Sequence, residues 1–175
     1  MSIALQSAEE SDLPPIVALM NAAFRGTSTK QSWNVEAFIT GSRTTESLLR
    51  EEIRDGVQYL VAKDGGTSGL QGSVSLQALS AERWHLGALT VDPALQSAGF
   101  GSKLLCSAEE YAVARGARAM EITVVNVRDA LIAWYERRGY RLTGETRPFP
   151  YGDDRFGTPT RSDLEFFVLE KHLEE

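Results

Sequence analysis

The sequence predicts an α+β fold built on a mixed sheet. Strand-like runs cluster in the middle of the chain and are close enough together to pair as hairpins. Helical patterns stand before and after them, and the strict βαβα alternation of a doubly wound fold is missing. The 175 residues contain no repeat, low-complexity tract or linker, so one domain is expected over residues 1–175.

Residues 3–6 read as a short first strand. Ser11 is a candidate N-cap, and Pro14 and Pro15 fall in a first helical turn, where their missing N–H groups cost little. Ile16, Leu19, Met20 and Ala23 then follow at helical spacing. Residues 25–42, with Gly26, Gly41, Trp33 and Phe38, are expected to be a loop with one short helix at 34–39. A second helix over 44–54 closes at Gly56. Residues 57–63 form a strand that ends at the turn Asp64-Gly65-Gly66. Residues 71–79 alternate Val74, Leu76 and Ala78 with polar neighbours, as a half-buried strand does. The apolar run 84–91 is its antiparallel neighbour. Beyond the Asp92-Pro93 break, Leu104, Ala108, Tyr111 and Ala112 mark a long helix ending at Gly116. Residues 119–125 are a strand; Leu131, Trp134, Tyr135 and Arg138 mark a last helix stopped by Gly139. Strands at 140–146 and 163–169 finish the chain, and the Pro- and Gly-bearing segment 147–161 between them is expected to be an exposed loop.

Composition narrows the function classes. Hydrophobic content of 42% and charged content of 24% are ordinary for a soluble domain. No apolar run has the length of a membrane span, and the N-terminus lacks the features of a secretory signal, so a cytoplasmic protein without a membrane partner is expected. A net charge of −6 with no basic cluster argues against nucleic acid. It suits a cationic amine, and it equally suits mere solubility. The lone Cys106, read as a small core or helix-face residue, excludes an intrachain disulfide, and with two distant histidines it makes no metal site.

The chemistry concentrates where a strand breaks at Asp92-Pro93 and a glycine turn, Gln96-Ser97-Ala98-Gly99-Phe100-Gly101, opens a helix. Unpaired N–H groups collect at such a helix mouth and suit a pyrophosphate, and Gly99 and Gly101 let the anion approach without a Cβ in the way. Lys103 is the only basic residue nearby in sequence. A P-loop would need Gly-Lys-Ser/Thr, which is absent, and a dinucleotide fingerprint would need glycine where Leu104 stands. Taken alone, the segment is also compatible with a plain turn.

It does not stand alone. Gln-x-x-Gly-x-Gly after a Val-Asp-Pro strand end resembles the acetyl-CoA signature of the GNAT acetyltransferases. Trp134-Tyr135-Glu136-Arg137-Arg138-Gly139-Tyr140 resembles that family's second motif, an aromatic pair on a helix before a Gly-aromatic turn. The resemblance covers residues 3–140 in element order and is specific in motif over 86–140. It implies a mixed, mostly antiparallel sheet of about six to seven strands flanked by helices, with two parallel central strands, ending at Val91 and Val125, splayed into a gap. It further implies an N-acetyltransferase moving the acetyl group of acetyl-CoA to a primary amine of a small molecule or peptide by direct attack. A non-catalytic acyl-CoA sensor on the same scaffold is the alternative. Dimers are common in the family, so a homodimer is compatible with it.

Site residues follow from the same resemblance. Leu89 and Val91 supply backbone groups to the pantetheine arm, and the amides of Gln96, Ser97, Ala98, Gly99, Phe100, Gly101 and Ser102 cradle the pyrophosphate. Tyr135 matches the tyrosine that protonates the departing thiolate, while Trp134 reads as core. His85 lies eleven residues before Gln96, where some relatives carry a glutamate base. Its strand parity places it with Gly87, Leu89 and Val91, and a histidine can take a proton near neutral pH; a water relay is the other option. Asn126 resembles the asparagine that opens the second-motif helix, although it precedes Tyr135 by nine residues where seven is commoner, and it also suits a helix cap. Glu121, in mid-strand, reads as structural. The acceptor side falls to residues 24–39 and 147–161, with Trp33, Tyr151 and Asp153 as candidates beside Asp154.

Overall fold

The computed structural model describes residues 3–25, 36–63 and 69–174, and only the backbone at 96–98. In chain order the elements are β1 (Gln6–Ser7), α1 (Leu13–Arg25), β2 (Ile39–Thr40), α2 (Glu46–Arg54), β3 (Gln58–Lys63), β4 (Leu70–Ala78) and β5 (Arg83–Val91). They continue with α3 (Phe100–Val113), β6 (Ala119–Val125), α4 (Asp129–Glu136), β7 (Arg141–Pro148), β8 (Thr158–Pro159) and β9 (Glu165–His172). Seven strands form one sheet in the order β1-β3-β4-β5-β6-β9-β7. Every pairing is antiparallel except β5–β6, which is parallel. The fold is therefore the mixed α+β sheet that the sequence predicts.

The sheet is covered on both faces. On one side α1 and α2 bury Ile16, Met20, Ala23 and Leu49 against Tyr59 and Val61. On the other, Leu105, Ala108 and Ala112 of α3 and Ile132 and Tyr135 of α4 pack on Leu60, Val74, Leu76, Leu86, Met120 and Ile122. Each fully buried aliphatic side chain contributes about 1.5–3 kcal/mol, so these two stripes hold the central strands. Double coverage also corrects the half-buried reading of β4: Ser73 and Ser75 are buried along with Val74 and Leu76.

Local chemistry sets the helix ends. Thr45 caps α2 by accepting the Leu48 N–H at 3.3 Å. Ser11 is not a cap; a 3-10 turn, Glu10–Asp12, precedes α1, and the Glu9 N–H donates to Asp12 Oδ2 at 2.8 Å. The strand expected at 3–6 reduces to Gln6–Ser7. The turn at 64–66 lies outside the described residues, as do residues 34 and 35 of the short helix expected at 34–39. Residues 37 and 38 form a turn, and Ile39–Thr40 pairs with Thr158–Pro159, so segment 147–161 carries a short strand. β7 runs on to Pro148, paired with Glu165 of β9, and β9 runs on to His172, paired with Ala119 of β6. Cys106 is exposed on α3 and is no core residue. Among the described residues no helix is long and apolar enough to cross a membrane.

Candidate functional site

The parallel ladder between β5 and β6 is short. It pairs Arg83 with Ala119, Trp84 with Met120 and His85 with Glu121, and then stops. Beyond it the two strands diverge. Leu86 to Leu89 on one strand and Ile122 to Val125 on the other line a single cleft of about 540 Å³. Phe24, Tyr59 and His85, from the α1–α2 face, line it too, as do Trp134 and Tyr135 of α4 on the opposite face. The cleft therefore passes through the sheet at the splay. A strand edge without its neighbour offers N–H and C=O groups to an extended ligand.

A bulge sharpens this opening. Ser73 and Ser75 of β4 face Thr90 and Gly87, so Val74 stands opposite two residues, Ala88 and Leu89. Ala88 takes the left-handed conformation, with φ at 48°, and its carbonyl accepts the Thr90 hydroxyl at 2.8 Å. A bulge leaves backbone groups outside the ladder, and strain of this kind gathers at functional sites. The extra residue also shifts the parity. His85 and Gly87 share a face with Thr90, whereas Leu86 and Val91 share the other. The expectation that His85, Leu89 and Val91 point the same way is thus corrected. Leu89 and Val91 pack toward α3, and His85 stands on the α1–α2 side.

At one end of the cleft lies the mouth of α3. Asp92 caps a 3-10 turn, Pro93–Ala98, by accepting the Ala94 N–H at 2.9 Å. Gly99, at φ 73°, then turns the chain into α3, where Lys103 N–H bonds back to Gly99 C=O at 3.3 Å. The amides ahead of Lys103 precede the helix's own ladder. Gly99 is exposed. Gly99, Gly101 and Ser102 line the cleft, whereas Phe100 packs beside Val91 and Leu104. Arg138 reaches here from the turn that follows α4. It stacks on Trp134, 3.8 Å from the ring centroid, and donates to Ser102 Oγ at 3.2 Å. A basic group thus stands beside Ser102 from the turn after α4, where the sequence offered only the neighbouring Lys103. A signal for it was present, since Arg138 lies one helical turn past Trp134 and Tyr135 in the same motif.

Tyr135 lines the cleft and is 7% exposed. It packs edge-on against Trp134 and Tyr140, with ring centroids 5.0 and 5.6 Å away. Burial drives its phenol pKa well above the ordinary value, against the opposing pull of the Arg128 and Arg138 charges. The phenol therefore keeps its proton at neutral pH and can act as a donor.

His85 lines the cleft six residues upstream of Val91, about 20 Å along the strand. Its Nδ1 lies 2.8 Å from Glu121 Oε2. Its Nε2 lies over Gly87, 3.5 Å from where a Cβ would stand. Glu121 is 1% exposed and also accepts from Arg83 at 2.9 Å and from Arg147 at 2.7 and 3.0 Å. Burial pushes its carboxyl pKa up, but hydrogen bonds from Arg147 and His85 outweigh that and hold it at about 2. A carboxylate so held is a poor proton acceptor and a strong orienting group. Residues 85, 121 and 147 are remote in sequence, and only the order β5-β6-β9-β7 brings them together.

The remaining expected residues lie elsewhere. The Asn126 amide is occupied with β9 and the segment before it, donating to Asp163 C=O at 3.0 Å and accepting from Glu165 N–H at 3.1 Å. Tyr151 is exposed, and its hydroxyl donates to Arg161 C=O at 2.7 Å. Asp153 pairs with Arg155 at 2.9 Å. None of these three lines the cleft. Trp33 lies outside the described residues, as do the side chains of Gln96, Ser97 and Ala98. At the far end of the cleft stand Phe24, Arg43, Glu52 and Tyr59. Of these, only Phe24 fell within a segment that the sequence assigned to the acceptor side.

Comparison with known proteins agrees with this architecture. Residues 19–140 match the model of the Acetyltransferase (GNAT) family. No curated protein matches the chain. Among solved structures, the ribosomal-protein-alanine N-acetyltransferase of Brucella melitensis is similar at 22% identity and TM-score 0.67, over 98% of this chain and 100% of that one. The ribosomal-protein-S18-alanine N-acetyltransferase of Escherichia coli is similar at 17% identity and TM-score 0.68, over 98% and 94%. The yncA protein of Salmonella typhimurium, solved with its cofactor acetyl-CoA, is similar at 19% identity and TM-score 0.63, over 100% and 96%. At these identities the likeness is one of fold.

Proposed function

The chain belongs to the GNAT acetyltransferase family, and from that membership we propose that it moves the acetyl group of acetyl-CoA onto a primary amine of a small molecule or peptide by direct attack. The observation that carries this reading is the cleft through the β5–β6 splay. It joins a helix mouth suited to a diphosphate on one face to an oriented histidine on the other.

Acetyl-CoA supplies an acyl group activated as a thioester. The amides around Gly99, Gly101 and Ser102 receive the diphosphate, and Arg138 adds a positive charge beside them. The diverging edges of β5, at Leu89 and Val91, and of β6 pair with the amides of the pantetheine arm. Backbone N–H groups at the Ala88–Leu89 bulge face the charge that develops on the thioester oxygen. His85 Nε2 accepts the proton of the attacking amine, with Glu121 holding the ring through Nδ1. As the new C–N bond forms and the C–S bond breaks, Tyr135 gives its proton to the departing sulfur.

Release of free CoA thiol from acetyl-CoA with a panel of amines tests the reading, alongside thermal shift with acetyl-CoA, NAD and ATP. Stabilisation by acetyl-CoA and amine-dependent thiol release are expected. Stabilisation by NAD alone would overturn the assignment, and acetyl-CoA binding without thiol release from any amine would reduce the protein to a binding module.

Two variants probe the parts. In Gly99→Val a β-branched residue is forced to φ 73°, a conformation costing about 1–2 kcal/mol for L-residues. The turn shifts, and acetyl-CoA affinity is expected to fall more than about tenfold; a folded variant with wild-type affinity would remove this turn from the site. His85→Gln is expected to lower kcat/KM by about 10²-fold and to flatten the acid limb of its pH profile. A variant that keeps the wild-type profile would leave the base role to water.

A further inference from the structure

Arg43 lines the cleft and has no carboxylate partner among the described residues. The backbone before α2 is tied to α1 by Asn21, whose Oδ1 accepts the N–H groups of Arg43 at 2.6 Å and Thr44 at 3.3 Å, while its Nδ2 donates to Thr44 C=O at 3.2 Å. This clamp fixes Arg43, whose guanidinium lies 5.3 Å from the centroid of the Phe24 ring. Both side chains line the cleft. Other guanidiniums around it share acids: Arg25 and Arg128 pair with Glu36, and Arg83 and Arg147 pair with Glu121. Arg138 and Arg43 meet no carboxylate among the described residues. Arg138 stands at the mouth of α3, where the diphosphate is placed. Arg43 stands at the other end, near enough to Tyr59 for its charge to oppose the upward push of burial and Glu52 on that phenol. The neighbouring Glu52 is engaged by the Tyr59 hydroxyl at 2.6 Å and does not pair with Arg43.

Building on the acetyl-transfer reading, we propose that the acceptor is a small amine that also bears a carboxylate, and that Arg43 binds the carboxylate. A guanidinium pre-positioned by a backbone clamp and a stacked ring, and half withdrawn from water, gains two charge-assisted hydrogen bonds from a carboxylate at little ordering cost. The register Tyr59–Ser75–Gly87 spans three strands, about 10 Å from the Arg43 end to the splay. One compact molecule can therefore reach both. The net negative charge of the chain points to a cationic acceptor; the cleft instead reads an amine and an anion together.

Two measurements on the full chain test this. Acetylation kinetics are compared for free α- and ω-amino acids and their matched amides. Binding of N-acetyl amino acids and N-acetyl amino acid amides to the protein with CoA, which needs no turnover, is read by calorimetry. Arg43→Met keeps an apolar stem over Phe24 and removes the charge, and Arg43→Lys keeps a charge without the fork. The wild type is expected to favour carboxylates over amides by about 10–100-fold. Arg43→Met brings the carboxylate down to the amide level, and Arg43→Lys falls between. Equal use of amides and carboxylates by the wild type, or a preference that survives in Arg43→Met, overturns the subsite while leaving acetyl transfer standing. Arg43-dependent binding of N-acetyl carboxylates without acetylation of any amine keeps the subsite and overturns acetyl transfer.

Discussion

Tyr135→Phe is expected to lower kcat by about 10²–10³-fold while leaving the affinity for acetyl-CoA nearly unchanged. The phenol is buried, and burial raises its pKa, so it stays protonated at neutral pH and can act only as an acid. Phenylalanine keeps the edge-on packing against Trp134 and Tyr140, so the fold and the cofactor cleft survive and only the transferable proton is lost. The effect should therefore fall on kcat rather than on acetyl-CoA binding. Rates measured across a pH series, with the affinity checked by calorimetry, decide the matter. A variant that turns over like the wild type at every pH would take Tyr135 out of the reaction.

Glu121→Gln is expected to cost on the order of 2 kcal/mol of stability at neutral pH. Removing one partner of a buried ion pair typically costs about 3–5 kcal/mol. That figure is lowered here because the Arg83 and Arg147 side chains are 41% and 39% exposed and can turn to water. The pH dependence is the sharper test. The carboxyl is held at about 2, below its ordinary 4.5. Its contribution is thus complete above about pH 4.5 and drains away as pH falls toward 2. Urea unfolding of the wild type should weaken across that window, and the variant should lose that share of the slope. Because Glu121 also fixes His85, kcat/KM is expected to drop about tenfold as the imidazole loses its orienting carboxylate. Matching stability curves for the two proteins at all pH values would refute the role given to this cluster.

Several features were open to reading because their causes are local. Pro93 after Asp92 must end a strand, and the Asp side chain caps the turn that follows. Gly99 sits at positive φ where the 3-10 turn Pro93–Ala98 passes into α3, a conformation that few other residues tolerate. The helical stripes of α1, α3 and α4 recur where the structure has them. Gly116 and Gly139, both at positive φ, follow the ends of α3 and α4. The aromatic pair ahead of Gly139 stands on α4 as the motif implied.

The misreadings have nonlocal causes. A regular strand would put His85, Leu89 and Val91 on one face, but Val74 faces two residues of β5, and one inserted residue exchanges the faces. Nothing in residues 84–91 announces that bulge. Glu121 read as structural, but its partners could not be named from the sequence because they lie 26, 36 and 38 positions away. Arg43 sits in a stretch without periodicity, and its importance depends on Asn21 holding its backbone and Phe24 lying under its side chain.

Backbone preference and hydropathy act between near neighbours. Composition and spacing were therefore enough to specify the longer strands and helices, and where a glycine turn opens one of them. The meaning of a charge is different in kind, because a carboxylate or guanidinium is neutralised, stranded or made useful by whatever faces it across the sheet. Strand order and register set that facing, and they arise from the packing of two helical layers on a splayed sheet. The roles proposed for Arg43, His85 and Arg138, and the pairing of Glu121 that supports them, therefore depend on the fold.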